Sequence, residues 1–139
     1  DRKLQLFQIG DFYQAADIAL VTPLKDGMNL IAKEYCAANT NEDGVLILSE
    51  FAGAAGQLKK HALLVNPYDI EATARKIFQA SQMSAEERAT RMGALRKSIK
   101  KSDIYWWVDN FLKAVFMNEE DKGFKPLRDY IPTAALISL

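Results

Sequence analysis

A chain of 139 residues is long enough for one domain with its own core. Its 18 basic and 18 acidic residues cancel, so nothing points to nucleic acid or an anionic membrane as a partner. At 49% hydrophobic the composition is that of an ordinary globular domain, and no run of about 18 apolar residues predicts a transmembrane helix.

The first residues, Asp1–Leu4, do not read as a signal peptide, and the single Cys36 rules out an internal disulfide framework; both fit a reducing cytoplasm. Leu4 to Ala16 is rich in apolar and aromatic side chains, and Asp11 is placed to cap a short helix running to Ala16. Ile18, Ala19, Leu20 and Val21 form the apolar run of a fully buried strand. Pro23 and Gly27 punctuate a turn, and residues 28 to about 38 hold good helix formers and no breaker. Cys36 falls in that helix as a small buried hydrophobe rather than a nucleophile. Residues 39–44 are a polar loop, and Val45 to Leu48 is a second buried strand. Ser49 to Leu58 is a loop leading into a short Ala/Gly helix, and His61 has no evident metal partner and takes a loop position. Ala62 to Val65 is a third strand, after which Asp69 caps a helix with the apolar stripe Ile70, Ala74, Ile77, Phe78.

Strands alternating with helices predict an α/β fold, a Rossmann-like parallel sheet with helices on both faces. Ligands bind such sheets beyond the carboxyl ends of the strands, where Asp26, Ser49 and Asn66 fall. Beyond the sheet, Ser84 to Glu87 is a capping box opening a charged helix. Its Arg88, Arg91, Arg96, Lys97, Lys100 and Lys101 read as a solvated face, since no aromatics interleave for base stacking. Asp103 caps a last helix, Ile104 to about Met117, whose Trp106, Trp107, Phe111, Val115 and Phe116 read as a core-packing face. In residues 118–139 Gly123, Pro126 and Pro132 break any periodicity. The expected organisation is therefore one domain over 1–117 and a tail of no assigned role over 118–139.

The stretch from Val21 to Glu34 carries the chemistry. A strand emptying through a loop into a helix presents free N–H groups and the positive end of a helix dipole, a ready site for phosphate. With the helix running from about Gly27, positions 27, 31 and 34 share a face and Glu34 lies about 10 Å along the axis. A nucleotide sugar fits: its diphosphate on the N–H groups around Asn29, Leu30 and Ile31, its ribose on Glu34, its sugar hydroxyls on Asp26, with Gly27 leaving room for close approach. The plainer alternative is that Asp26 only caps the helix and Glu34 is solvated.

The residues from Ala16 to Tyr35 closely resemble the donor-site signature of the trehalose-6-phosphate synthase family, glycosyltransferase family 20. Gly44 to Ala55, Ala62 to Asp69 and Asp103 to Trp107 resemble further motifs of that family in the same order, so the likeness covers roughly residues 11 to 116. It implies a retaining glycosyltransferase of two-domain GT-B architecture, with this chain in its C-terminal, donor-binding half. Asp26 resembles the sugar-contacting aspartate. Gly27, Met28 and Asn29 resemble the backbone that holds the glucose hydroxyls, Leu30 and Ile31 the diphosphate-binding N–H groups, and Glu34 the ribose-binding carboxylate. No side chain is implied as a general base: the family's proposed chemistry is a front-face displacement in which the donor phosphate helps deprotonate the acceptor. No metal or cofactor is implied.

The implied partners are a nucleoside-diphosphate glucose (UDP-, ADP- or GDP-linked) and a phosphorylated acceptor. The acceptor site, a glycine-rich loop and a basic Arg/Lys pair belong to family segments expected upstream of Asp1. Glucose 6-phosphate is the favoured acceptor; glycerol 3-phosphate, used by the related glucosylglycerol-phosphate synthases, is the runner-up. Lys25 stands where many relatives have arginine, and Gln5 to Asp11 fits the family pattern poorly, which bears on the base pocket. In GT-B enzymes the last helix commonly crosses onto the N-terminal domain, so part of its aromatic face is expected to meet that domain. A non-catalytic nucleotide-sugar-binding module is the alternative of a different class, and a homo-oligomer is left open. A dinucleotide enzyme is disfavoured because no G-x-G-x-x-G follows any strand.

Overall fold

Three short apolar runs pair into one parallel sheet: β1 (Ile18–Val21), β2 (Val45–Ser49) and β3 (Leu63–Val65), in that spatial order. Ile18 faces Val45 and Val21 faces Leu48, while Ile47 faces Leu63 and Ser49 faces Val65. The computed structural model describes residues 6–102 and 104–116, so the expected Asp103 cap and the 118–139 tail lie outside it. The six described helices are α1 (Leu6–Ala15), α2 (Leu30–Ala38), α3 (Ala55–Leu58), α4 (Ile70–Ser81), α5 (Ala85–Lys101) and α6 (Ile104–Phe116).

All five residues of β2 are buried, as expected of a central parallel strand covered on both faces. Leu46 and Leu48 point to one side, into a cluster with Ala32, Tyr35 and Cys36 of α2, Leu58 of α3, and Met92 and Leu95 of α5. Val45 and Ile47 point to the other, against Leu63, Val65, Ala80 of α4 and Met83. Each such buried aliphatic chain contributes roughly 1.5–3 kcal/mol, which makes β2 the anchor of both layers. The α/β sheet with helices on both faces is thus observed.

Several local expectations are corrected. The run Ile18–Val21 is not fully buried: β1 is an edge of the described sheet, and Leu20 is 48% exposed because α4 packs on β2 and β3 rather than on β1. Asp11 lies inside α1 instead of capping it. Asp69 does cap α4, accepting from the Ala72 N–H at 2.7 Å, but the apolar stripe of that helix faces outward. Ile70 is 79% and Phe78 68% exposed, because the small Ala80 is what lets α4 lie close to the sheet. Ile70, Ala74 and Ile77 instead line a shallow groove of about 210 Å³ with Thr22, Pro67 and Thr73. The core-packing reading of α6 fails likewise for its described side chains, since Tyr105, Trp106, Val108, Phe111 and Leu112 are all exposed. The side chains of Trp107, Val115 and Phe116 lie outside the description.

The basic face of α5 divides by residue type. Ser84 caps the helix, accepting from the Glu87 N–H, and Lys97, Lys100 and Lys101 are solvated as expected. The arginines are not. Arg88 donates to the Met83 carbonyl and Arg91 to the His61 carbonyl. Arg96 donates to the carbonyls of Cys36 and Ala37 at 3.0 and 2.6 Å, with the Glu42 carboxylate 3.6 Å away. A guanidinium fork thereby satisfies orphan carbonyls at the negative end of α2. Arg96→Met keeps the aliphatic stem and removes the fork, so it should lower the unfolding free energy by about 1–2 kcal/mol. Urea denaturation checks this; an unchanged midpoint would mean water serves those carbonyls equally well.

Candidate functional site

The loop from Thr22 to Asn29 joins the carboxyl end of β1 to α2, and one carboxylate shapes it. Asp26 Oδ1 accepts from the Met28 N–H at 3.1 Å and the Asn29 N–H at 3.0 Å, and Oδ2 accepts from the Asn29 side-chain amide at 2.8 Å. The hydrogen bond from the Asn29 side chain, and then that from the Met28 N–H, hold the Asp26 carboxyl below the ordinary carboxylate range. Asn29 is the true N-cap: its Oδ1 accepts from the Ala32 N–H at 3.0 Å. It adopts φ 58°, a left-handed conformation that asparagine tolerates better than most residues. Asp26 is therefore neither a simple helix cap nor a free carboxylate. It organises the turn, and Asn29 relays that order into the helix.

The expected helix start shifts accordingly. α2 begins at Leu30, so Gly27 lies in the turn and shares no helical face with Ile31 and Glu34. The N–H groups of Met28 and Asn29 are already taken by Asp26. Among the described residues no acceptor is bonded to the N–H of Leu30 or Ile31, and both side chains are exposed. These two groups are open donors at the positive end of α2, an arrangement that suits an anion.

The turn is clamped from the neighbouring strand. Gly53, beyond β2, donates its N–H to the Asp26 carbonyl at 2.8 Å, and Asp26 and Ala52 form a parallel bridge past the end of the sheet. A Cβ on Gly53 would lie 2.1 Å from the Gly27 carbonyl oxygen, so only glycine permits this contact. A Cβ on Gly27, by contrast, would meet nothing within 4 Å. The space over Gly27 is open.

Ser49 and Asn66 also stand at carboxyl ends of strands, as the alternation predicts, but their side chains turn loops. Ser49 Oγ accepts from the Phe51 N–H and Asn66 Oδ1 from the Tyr68 N–H. Phe51 and Tyr68 meet edge-on, ring centres 6.0 Å apart, joining those two loops.

Glu34 is exposed on the second turn of α2, about 6 Å along the axis from Leu30. It is not merely solvated. Its Oε2 accepts from the Tyr13 hydroxyl of α1 at 3.1 Å, a contact across 21 residues that the sequence does not announce. Cys36 is fully buried and burial pushes its thiol up to about 12, which leaves no thiolate for catalysis. Among the described residues no group of three or more His, Cys, Asp or Glu could hold a metal ion.

Residues 1–116 match the family model described as glycosyltransferase family 20. The trehalose-6-phosphate synthase of Mycolicibacterium smegmatis is 49% identical over 104 residues, 75% of this chain and 20% of that protein. Among solved structures, the E. coli protein bound with UDP-2-fluoro glucose is 41% identical with a TM-score of 0.77, over 83% of this chain and 26% of that one. The Burkholderia xenovorans trehalose-phosphate synthase in complex with glucose-6-phosphate is 38% identical with a TM-score of 0.77, over 82% and 25%. The chain spans only a fifth to a quarter of the length of these relatives. With the family model covering most of its length and the turn from Asp26 to Leu30 standing on a parallel sheet, the chain belongs to glycosyltransferase family 20.

Proposed function

We propose that this chain is the donor-binding part of a retaining glycosyltransferase that moves glucose from a nucleoside-diphosphate glucose to glucose 6-phosphate, giving trehalose 6-phosphate. The observation that carries the reading is the turn itself: two N–H groups at a helix start that no described residue pairs, an ordered carboxylate and open space over a glycine, with a second carboxylate one turn along. The bound UDP-2-fluoro glucose and glucose-6-phosphate of the E. coli and B. xenovorans relatives support UDP-glucose as donor and glucose 6-phosphate as acceptor.

On this reading the Leu30 and Ile31 N–H groups and the positive end of α2 take up the charge of the leaving diphosphate. A carboxylate has about four acceptor directions. Three at Asp26 are filled by Met28 and Asn29, so one remains for a glucose hydroxyl. The Gly27, Met28 and Asn29 backbone walls the sugar, and Glu34 accepts from the ribose. These groups position and stabilise; proton removal from the acceptor falls to the donor phosphate. The acceptor itself would be held by parts of the relatives that this chain does not span.

Titration with UDP-, ADP- and GDP-glucose, followed by a product assay with glucose 6-phosphate and glycerol 3-phosphate side by side, tests the reading in the protein expressed from its complete reading frame. Transfer to glycerol 3-phosphate alone would overturn the acceptor and leave the donor site standing. Glu34→Gln keeps the shape and removes the charge, so donor affinity should fall about tenfold or more, since bonds to charged groups are worth roughly 1.5–3 kcal/mol. Unchanged affinity in a folded variant would return Glu34 to a solvated surface residue.

A further inference from the structure

Glu34 is a long, exposed side chain, and an unrestrained glutamate loses rotamer freedom when it must hold a ligand. Here that freedom is already curtailed. The Tyr13 hydroxyl donates to Oε2, while no described residue donates to Oε1. The Tyr13 ring is itself located. It stands edge-on to the buried Tyr35, ring centres 6.4 Å apart at 82°, and the Tyr35 hydroxyl donates to the Ala16 carbonyl at 3.0 Å. Two tyrosines thus tie α1 and the link from it to β1 onto α2 and deliver one hydroxyl to one carboxylate oxygen. Burial first, and the Glu34 carboxylate next, raise the Tyr13 pKa above its ordinary value, so the phenol stays a proton donor at neutral pH.

We propose that Tyr13 is a positioning residue of the donor site, holding Oε2 of Glu34 so that Oε1 is presented to the ribose hydroxyls of a bound nucleotide. The proposal rests on the donor reading above. Tyr13 touches no substrate: it acts through Glu34 by ordering the carboxylate before the ligand arrives, which lowers the entropic cost of binding.

The test uses Tyr13→Phe, Glu34→Gln and the double variant in the protein expressed from its complete reading frame, each checked for folding by circular dichroism. Uridine, adenosine and guanosine diphosphate are titrated first. The tightest is then compared with its 2′,3′-dideoxy counterpart, which lacks the hydroxyls Glu34 would meet. Tyr13→Phe should weaken the ribonucleotide about three- to tenfold, the scale of losing order at one charged hydrogen bond. It should leave the dideoxy nucleotide untouched, add nothing in the Glu34→Gln background, and raise the donor KM with kcat unchanged. A loss of equal size for both nucleotides, or in both backgrounds, would make Tyr13 a packing residue between α1 and α2 and overturn the proposal. So would ribonucleotide binding unaffected by Tyr13→Phe while Glu34→Gln is impaired, and that result would spare the Glu34 reading. Normal binding by Glu34→Gln removes the ribose role of Glu34 and Tyr13 with it. Failure of all three nucleotides to bind removes the donor site altogether.

Discussion

Asp26→Ala should lower the unfolding free energy by roughly 1.5–3 kcal/mol, the scale of hydrogen bonds to a charged group, and should reduce donor affinity on the order of 100-fold. The two effects have separate sources. Stability falls because the Met28 and Asn29 N–H groups and the Asn29 side chain lose a shared acceptor, and the left-handed Asn29 cap loses its tether. Affinity falls because the same residue would contact the sugar and because the loosened turn no longer presents the Leu30 and Ile31 N–H groups together. Asp26→Asn refines the point. It keeps an oxygen for the backbone donors but sets its own NH2 against that of Asn29, so its stability should lie between wild type and Asp26→Ala. The depressed carboxyl fixes the sign of the pH dependence. A carboxylate with a lowered folded pKa contributes stability that is complete above its unfolded value and is lost as pH falls through its folded value. The stability gap between wild type and Asp26→Asn should therefore be constant near neutrality and narrow in acid. Chemical denaturation at several pH values measures it, and a gap independent of pH would show that the charge at position 26 does not matter to the turn.

Gly53→Ala should cost about 2–3 kcal/mol or more, at the upper end for overpacking. All three atoms nearest the added methyl are backbone: the Gly27 oxygen at 2.1 Å, the Gly27 carbonyl carbon at 2.6 Å and the Met28 nitrogen at 3.0 Å. No rotamer change relieves such contacts, so the loops beyond β1 and β2 must separate and the Gly53–Asp26 hydrogen bond with them. Gly27→Ala is the matched control. Its methyl meets nothing within 4 Å and Gly27 is not at positive φ, so stability should change by no more than about 0.5 kcal/mol. Under the proposed function that methyl enters the space of the sugar, and donor binding should drop although the fold does not. Thermal denaturation beside donor titration separates the two variants. If Gly27→Ala binds donor normally, the sugar does not pass over this turn.

Much of this was legible because it is local. The alternation of apolar runs placed all three strands to within a residue, and Ser84 and Asp69 cap their helices as their chemistry requires. The stretch holding the candidate site residues was legible as a strand, a turn and a helix start. What escaped was settled by partners distant in the chain. Helical spacing marked the stripe of α4 as one face without saying which way it turns, and the sheet took the side bearing Ala80 instead of Ile70 and Phe78. The α5 arginines read as solvated because the carbonyls they reach belong to other segments, and charge alone does not reveal an acceptor 59 residues away. Asn29 was masked by Asp26: both are good caps, and only the backbone turn decides which one meets the helix.

The bridge between Asp26 and Ala52 also bears on how the protein acquires a working site. Ile18 meets Val45, 27 positions along the chain, and Ile47 meets Leu63 after a further crossover, so neither pairing forms by zipping up a hairpin. Such closures are slow relative to helix formation. The bridge lies between the same two segments but not in the same register, since Asp26 meets Ala52, 26 positions along, where β1 meets β2 at 27. A slip of one residue in the strands would turn the core faces of β1 outward and displace Asp26 from Gly53 as well. The clamp that Gly53 and Ala52 place on the turn therefore does not precede the sheet, although the hydrogen bonds from Met28 and Asn29 to Asp26 are local. In refolding, the clamped turn should arrive together with burial of Leu46 and Ile47, and under the proposed function nucleotide binding should appear with it and not with an earlier helix signal.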